Sequence, residues 1–311
     1  MIIFRDLAEI KGIEKTAVAL GNFDGIHKGH QALITRAVDI AREKGIKSAV
    51  FTFSNHPRNV LSGENTVKNI IYEDEKIEIL EQMGVDYLFT LDFGKLMNQT
   101  PEEFVKDMLV DTFCASAAVC GFNFTYGRKA AGTAETLLSE KDRYGIDVYV
   151  VDPVTVGGEV VSSTLIREKI STGEVSAVQA LLGRPYTMRG EIRHGNEIGR
   201  TMGFPTCNIV IDETMVTPTN GVYVTRAHVR GRLYDSVTNV GNKPTVGTYA
   251  KNIETNIFDF HEDVYGETMT VEFLEKIRDE RKFASLDELK EQISSDKAYA
   301  ISFHKKSHVR S

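Results

Sequence analysis

Ten residues near the start of the chain, Gly21-Asn22-Phe23-Asp24-Gly25-Ile26-His27-Lys28-Gly29-His30, combine glycines, a carboxylate and two imidazoles three positions apart. An apolar run, Thr16–Leu20, precedes them and an amphipathic one, Gly29–Lys44, follows, so they fall where a strand ends and a helix begins. In an open α/β sheet that junction is the ligand crevice. Glycines let backbone approach a ligand, a helix start offers unpaired amides, and side chains three apart on a helix face the same way. This is the chemistry of phosphate binding. A hydride-transfer dinucleotide loop would read GxGxxG, which this one does not. Metal binding by His27 and His30 stays open, although no third ligand is close in sequence. So does a bland loop with two exposed histidines.

Two further clusters could do chemistry. Val160-Val161-Ser162-Ser163-Thr164-Leu165-Ile166-Arg167 follows the last apolar run of the first half, and its hydroxyls with Arg167 one turn on would either cap a helix or grip a phosphate tail. Gly199-Arg200-Thr201-Met202-Gly203-Phe204-Pro205-Thr206-Cys207-Asn208 begins glycine-rich and ends at a strand, where Thr206 and Asn208 alternate by two and share a face. A hydroxyl and an amide oxygen are hard, neutral donors suited to Mg2+; read alone, they describe a hydrogen-bonded strand start better. Gly190 through Gly195 and Gly199 would form either a flap over phosphates or turns.

The elements that must position these groups fall into two sets. A chain of 311 residues, 41% of them apolar, suggests about two domains at roughly 150 residues each. With 37 basic and 44 acidic side chains the net charge is −7, which disfavours a general nucleic-acid binder. Arg5, Asp6, Glu9 and Lys11 interrupt the start where a signal peptide needs an apolar stretch, and no run approaches the ~18 apolar residues of a membrane span. The expectation is a soluble cytoplasmic protein without a membrane partner. Cys114, Cys120 and Cys207 show no CxxC spacing, which argues against a disulfide framework or zinc site; Cys114 and Cys120 read as small buried apolar residues.

Across the first half, apolar runs (Thr16–Leu20, Lys47–Phe53, Val85–Leu91, Ala115–Gly121, Val148–Asp152) alternate with helix-length segments (Gly29–Lys44, Glu73–Met83, Pro101–Phe113, Thr133–Tyr144). Thr100 reads as a cap, and Gly45, Gly84 and Gly145 as terminators. That alternation predicts a doubly wound α/β domain with a parallel sheet covered on both sides. From Tyr186 the helix period vanishes and short strands take over: Tyr186–Arg193, Cys207–Ile211, Gly221–Arg230, Arg232–Asn239, Ile253–Phe260 and Met269–Arg278. They predict a small antiparallel β-barrel with a tight turn at Arg230-Gly231. A C-terminal helix follows, capped by Ser285, with Leu286, Leu289 and Ile293 at helical spacing; its basic end (His304, Lys305, Lys306, His308, Arg310) reads as a solvated terminus. The domain boundary is placed at 182/183.

The motifs taken together carry a resemblance. GNFDGIHKGH, the Ser54–Pro57 segment ending in His56-Pro57, GFNFTYG (Gly121–Gly127) and SSTLIR resemble the adenylyltransferase half of the prokaryotic bifunctional riboflavin kinase/FAD synthetases, members of the HxGH nucleotidyltransferase superfamily. The resemblance implies that FMN and ATP give FAD and pyrophosphate. It would place His27 and His30 on the ATP phosphates within a loop shaped by Gly21, Phe23, Asp24, Gly25 and Gly29. Ser163, Thr164 and Arg167 would hold the outgoing pyrophosphate, and Asn123, His56 and Pro57 would lie at the flavin and nucleotide cleft.

RGEIRHGNEIGRTMGFPTCN, followed in order by GVY, NVGNKPT and IETNIFDF, resembles the flavokinase signature. This implies phosphorylation of riboflavin by ATP, with Gly199 and Gly203 near the nucleotide, Thr206 and Asn208 as Mg-ATP ligands, and Glu254 as general base. Many relatives carry His two residues after that Glu, where this chain has Asn256. Without the ordered motifs, Glu254 would read as one more exposed strand carboxylate. The expected partners are riboflavin, FMN, FAD and ATP, with self-association left open. The alternatives are a flavin- or nucleotide-binding regulator, or an enzyme retaining one of the two activities.

Overall fold

The computed structural model describes residues 1–194, 204–245 and 248–308. Gly195, Gly199, Gly203 and Arg310, named above, lie outside the described residues. The chain divides into two compact units, Met1–Ser163 and Thr164–Ser311.

The first unit is built on six parallel strands: β1 (Ile2–Phe4), β2 (Thr16–Leu20), β3 (Lys47–Phe53), β4 (Tyr87–Leu91), β5 (Ala115–Gly121) and β6 (Asp147–Val151). Their order is β1-β4-β3-β2-β5-β6. Successive side chains of β2 enter opposite cores. Val18 and Leu20 join Phe51, Phe89 and Phe113, while Ala17 and Ala19 meet Ile34, Ala37 and Ile40 of α1 (Lys28–Lys44). Both faces are therefore dry, as a parallel sheet requires. Gly45 ends α1 at φ +64, its N–H on the carbonyls of Ala41 and Arg42. Two short helices matter below, α2 (Pro57–Ser62) and α3 (Glu73–Gln82).

Local differences from expectation have physical causes. Edge strand β1 carries no pattern of its own and exists through parallel pairing of Ile2 with Tyr87 and Phe4 with Phe89. The segment begun at Pro101 has the Thr100 cap, closed as a capping box with Glu103, but continues from Phe104 to Thr112 as a π-helix. The Thr133–Tyr144 segment breaks at Glu140 into Ala134–Ser139 and Lys141–Tyr144. Cys120 is buried as expected, whereas Cys114, at φ +48 just before β5, is only half-buried.

The second unit begins with α4 (Ser163–Thr172, whose first residue belongs to the first unit) and α5 (Val175–Leu182). A closed barrel follows, made of β7 (Tyr186–Arg193), β8 (Cys207–Val210), β9 (Gly221–Val229), β10 (Arg232–Thr245), β11 (Thr248–Ile257) and β12 (Thr268–Asp279), in the order β7-β8-β11-β10-β9-β12. Every pairing is antiparallel. Arg230 and Gly231, at φ +50 and +72, form the two-residue turn between Val229 and Arg232. Gly190 is no part of a flap: it pairs with Met269 inside β7, and a Cβ there would lie 2.3 Å from the Val210 carbonyl.

Helix α5 buries Val175, Val178, Leu181 and Leu182, packing against β12 and β7, and Ser176 Oγ donates to the Leu274 carbonyl at 2.9 Å. The terminal helix α6 (Leu286–His308) starts with Ser285 accepting from the Glu288 amide at 3.1 Å, as predicted. Its seated face differs from the expected leucine stripe, since Leu286 is 69% exposed while Asp296, Ala300 and His304 are buried. Two polar anchors account for this. Asp296 receives Arg278 Nε and Nη2 at 3.0 and 2.8 Å, and His304 Nδ1 lies 3.1 Å from Asp235. Lys305, Lys306 and His308 are exposed.

Candidate functional site

The order of the first sheet runs outward from β2 through β3 and β4 on one side and through β5 and β6 on the other. The 21–27 loop thus leaves β2 at the topological switch point, where open α/β sheets hold ligands. It is strained and well anchored. Phe23 and Ile26 sit at φ +42 and +37, a region that costs a residue other than glycine about 1–3 kcal/mol. Both are fully buried, and the loop's polar groups are tied to neighbouring elements. Thr52 Oγ1 donates to the Asn22 carbonyl at 2.8 Å, the Ile70 amide to Asp24 Oδ1 at 2.9 Å, and Ser163 Oγ to the Asp24 carbonyl at 2.9 Å. Asp24 therefore orders the loop through both its carboxylate and its backbone, while Gly21 ends β2 with its amide on the Phe51 carbonyl at 3.3 Å and Gly25 turns the chain at φ +89.

His27 caps α1, its Nδ1 accepting from the His30 amide at 3.2 Å. That bond leaves the proton of a neutral His27 on Nε2, a donor free of the helix. The two imidazoles stack with centroids 3.6 Å apart, and Phe23 meets His30 edge-on at 5.1 Å. Gly29 permits the stack: a Cβ there would stand 3.1 Å from the His27 ring. Burial pushes His27 down to about 4, and burial followed by the charges of His27 and Lys76 holds His30 well below the ordinary histidine range. His30 Nδ1 is buried and has no hydrogen-bond partner among the described residues. At neutral pH the pair is thus uncharged.

Beside the loop, at the carboxyl ends of the strands, lies a cleft whose lining includes Asn22, Asp24, Asn55, His56, Glu73 and Lys76. His56 caps α2, accepting the Arg58 amide at 3.2 Å, with Pro57 in the first helical turn. Asn123 stands apart from this lining, exposed in the turn after β5. Ser163 belongs to the first unit, whereas Thr164 and Arg167 count with the second. Sequence reasoning missed Lys76, which carries no motif of its own; Asn22, inside the ten-residue motif, was expected to shape the loop.

On the barrel, Asn208 of β8 and Glu254 of β11 are directly paired across the ladder, so their side chains share a face. Asn208 is buried, while Thr206, at the approach to β8, is half-buried. Asn252 Nδ2 donates to Asn208 Oδ1 at 3.0 Å and to Glu254 Oε1 at 2.8 Å. Asn256, one further step along the same face, donates from Nδ2 to the Pro205 carbonyl at 2.7 Å and buries an Oδ1 that has no hydrogen-bond partner among the described residues. Asn252 is a second residue missed; its place two positions before Glu254 was the available signal. Among the described residues no group of three or more His, Cys, Asp or Glu could hold a metal ion.

Two sites in separate units, a histidine-capped loop at a switch point and an amide–carboxylate cluster on a barrel, are those of a two-part nucleotide-using enzyme. The FAD synthetase family profile matches residues 9–165, and the riboflavin kinase profile residues 182–304. The bifunctional riboflavin kinase/FMN adenylyltransferase of Bacillus subtilis is 39% identical over 93% of this chain and 92% of its own. Its counterpart in Listeria monocytogenes is 36% identical over 93% and 92%. The chain belongs to the family of bifunctional riboflavin kinase/FMN adenylyltransferases. A solved structure described as a macrolide-efflux protein from Streptococcus pneumoniae shares the fold, with a TM-score of 0.89 and 35% identity over 96% of this chain and 98% of that one. The efflux description belongs to that protein; here, among the described residues, no helix is long and apolar enough to cross a membrane.

Proposed function

We propose that the chain phosphorylates riboflavin to FMN in its C-terminal half, residues 183–311, and adenylylates FMN to FAD in its N-terminal half, residues 1–182, with ATP as co-substrate of both steps and the cytosol as its location. The observation that carries this reading is the presence of two constellations in separate units: His27 stacked on His30 in one, Asn208 facing Glu254 in the other.

In the kinase half a neutral alcohol must become a nucleophile. Glu254 accepts the proton of the riboflavin 5′-hydroxyl as its oxygen bonds to the γ-phosphorus of ATP; the bond to the β,γ-bridging oxygen breaks and ADP leaves. Asn252 fixes one oxygen of Glu254 for this task. Mg2+ belongs to the proposal, and the donors fit it. Thr206 and Asn208 supply neutral oxygens, and the buried Oδ1 of Asn256 beside Pro205 has no hydrogen-bond partner among the described residues. When bound, the ion would offset charge on the transferring phosphates.

In the adenylyltransferase half the nucleophile is already anionic, so alignment and charge stabilisation suffice. A phosphate oxygen of FMN bonds to the α-phosphorus of ATP, and the bond to pyrophosphate breaks. His27 donates from Nε2 to a phosphate oxygen and His30 stands beside it. Ser163, Thr164 and Arg167 are assigned to the departing pyrophosphate, and Asn123 to the flavin and nucleotide cleft, on the order of their motifs; His56 and Pro57 are assigned there also on the place of His56 in the cleft lining.

The test supplies the full chain with ATP and either riboflavin or FMN and quantifies products. FMN with ADP in the first case and FAD with pyrophosphate in the second are expected. Flavin binding without either product would make the chain a regulator, and one product alone would leave it a single-activity enzyme.

A further inference from the structure

The histidine pair is neutral and lies outside the lining of the cleft beside it, and Arg167 is assigned to the departing pyrophosphate, which leaves phosphates entering the cleft itself without a cation of their own. FMN and ATP both bring negative charge, and a site that aligns two phosphates must offset their repulsion. Lys76, in the second half-turn of α3, lines the cleft that also holds Asn22, Asp24 and His56. It is half-buried, yet among the described residues its ammonium has neither a hydrogen bond nor an ion pair. The nearby carboxylates are engaged elsewhere: Asp24 Oδ1 accepts the Ile70 amide, and Glu73 pairs with Arg5. They act on Lys76 only through space, favouring its charged form against the burial that lowers its pKa. The charge of Lys76 also reaches His30 and helps keep that ring neutral.

A half-buried cation ordinarily takes a partner, because desolvation without one is costly. The polar lining around Lys76 leaves that place to an anion arriving in the cleft. We propose that Lys76 is a catalytic residue of the adenylylation step, its ammonium binding an oxygen of a substrate phosphate in the cleft. This rests on the reading of the N-terminal half as an adenylyltransferase. The ligand chemistry is a phosphate oxygen, which either FMN or the ATP triphosphate supplies.

The experiment compares the full-length protein with its Lys76→Met and Lys76→Arg variants, measuring FAD formation while FMN and ATP are varied in turn. Far-UV circular dichroism and thermal unfolding of the same samples control for folding of the first unit, and riboflavin phosphorylation for that of the second. Lys76→Met should lower adenylylation kcat/KM by ~10²–10³, the worth of one charge-stabilising donor, and Lys76→Arg should recover most of it. A rise in KM for FMN alone assigns the flavin phosphate, and a rise for ATP alone the triphosphate. Wild-type kinetics in folded Lys76→Met overturn the proposal. So does an equal loss in Lys76→Arg and Lys76→Met, because a lost charge would be restored by arginine. Should the unsubstituted chain itself form no FAD while phosphorylating riboflavin, the reading of the half fails instead, and Lys76 with it.

Discussion

Asn208 and Glu254 face each other across β8 and β11, and Asn252 Nδ2 serves both, at 3.0 Å to the amide oxygen and 2.8 Å to the carboxylate. One amide group thus sets the orientation of the proposed metal ligand and of the proposed base. Glu254→Gln keeps the shape and the acceptor for Asn252 but loses the basic oxygen. Riboflavin kinase kcat should fall by ~10²–10⁴ with substrate binding retained, as measured by steady-state FMN production.

Removing the bridge has a different signature. Asn252→Ala leaves the base and the oxygen donors in place but unoriented, so a loss of ~10–100-fold spread over kcat and KM for Mg-ATP is expected, in line with other outer-sphere partners. Asn208→Ala should act mainly on nucleotide affinity, read by calorimetry with a non-hydrolysable ATP analogue.

The histidine pair makes the first unit acid-sensitive. With folded values of about 4 for His27 and well below 6.5 for His30, the unfolded chain binds protons that the folded one does not as pH falls below 6.5. Stability is therefore unaffected by this pair above that pH and declines below it, by up to ~1.4 kcal/mol per pH unit for each histidine. Denaturant unfolding followed by a probe in the first unit, from pH 7 to pH 5, should show the decline, and His27→Gln with His30→Gln should flatten it.

Much of the first sheet was legible because strand identity there is local. Thr16–Leu20, Lys47–Phe53 and Ala115–Gly121 are apolar on both faces and bounded by polar or glycine residues, and their ends match the observed strands. Strand β1 was not legible, since three residues become a strand only by pairing with β4 far along the chain. The seat of α6 was misread for a related reason. Pattern reading sends Asp296 and His304 to solvent, but Arg278 and Asp235 wait for them on the barrel. At the sites, the histidine loop declares its chemistry locally. Glu254 is one of 44 acidic residues and emerged only from the order of motifs around it. Lys76 reads as a surface helix lysine until the loop from Asn22 to Asp24 is placed in the same cleft.

The packing of α5 bears on where the halves can be cut. Its Val175, Val178, Leu181 and Leu182 are buried, packing on the barrel strands β12 and β7, and each is worth about 1.5–3 kcal/mol when fully buried. A fragment of residues 164–311 should therefore unfold at a higher temperature than one of residues 183–311, which loses that helix. Equal thermal stability of the two fragments would argue that α5 contributes nothing to the barrel.

The central claim is that one chain runs two separate ATP-dependent reactions. A crossed measurement tests it most directly: initial rates of FMN formation from riboflavin and of FAD formation from supplied FMN, in Glu254→Gln and in His27→Ala, each against the unsubstituted chain. Glu254→Gln should lose FMN formation by ~10²–10⁴ and keep FAD formation, while His27→Ala should lose FAD formation by ~10²–10³ and keep FMN formation. Parallel loss of both activities in either folded variant would contradict two independent sites.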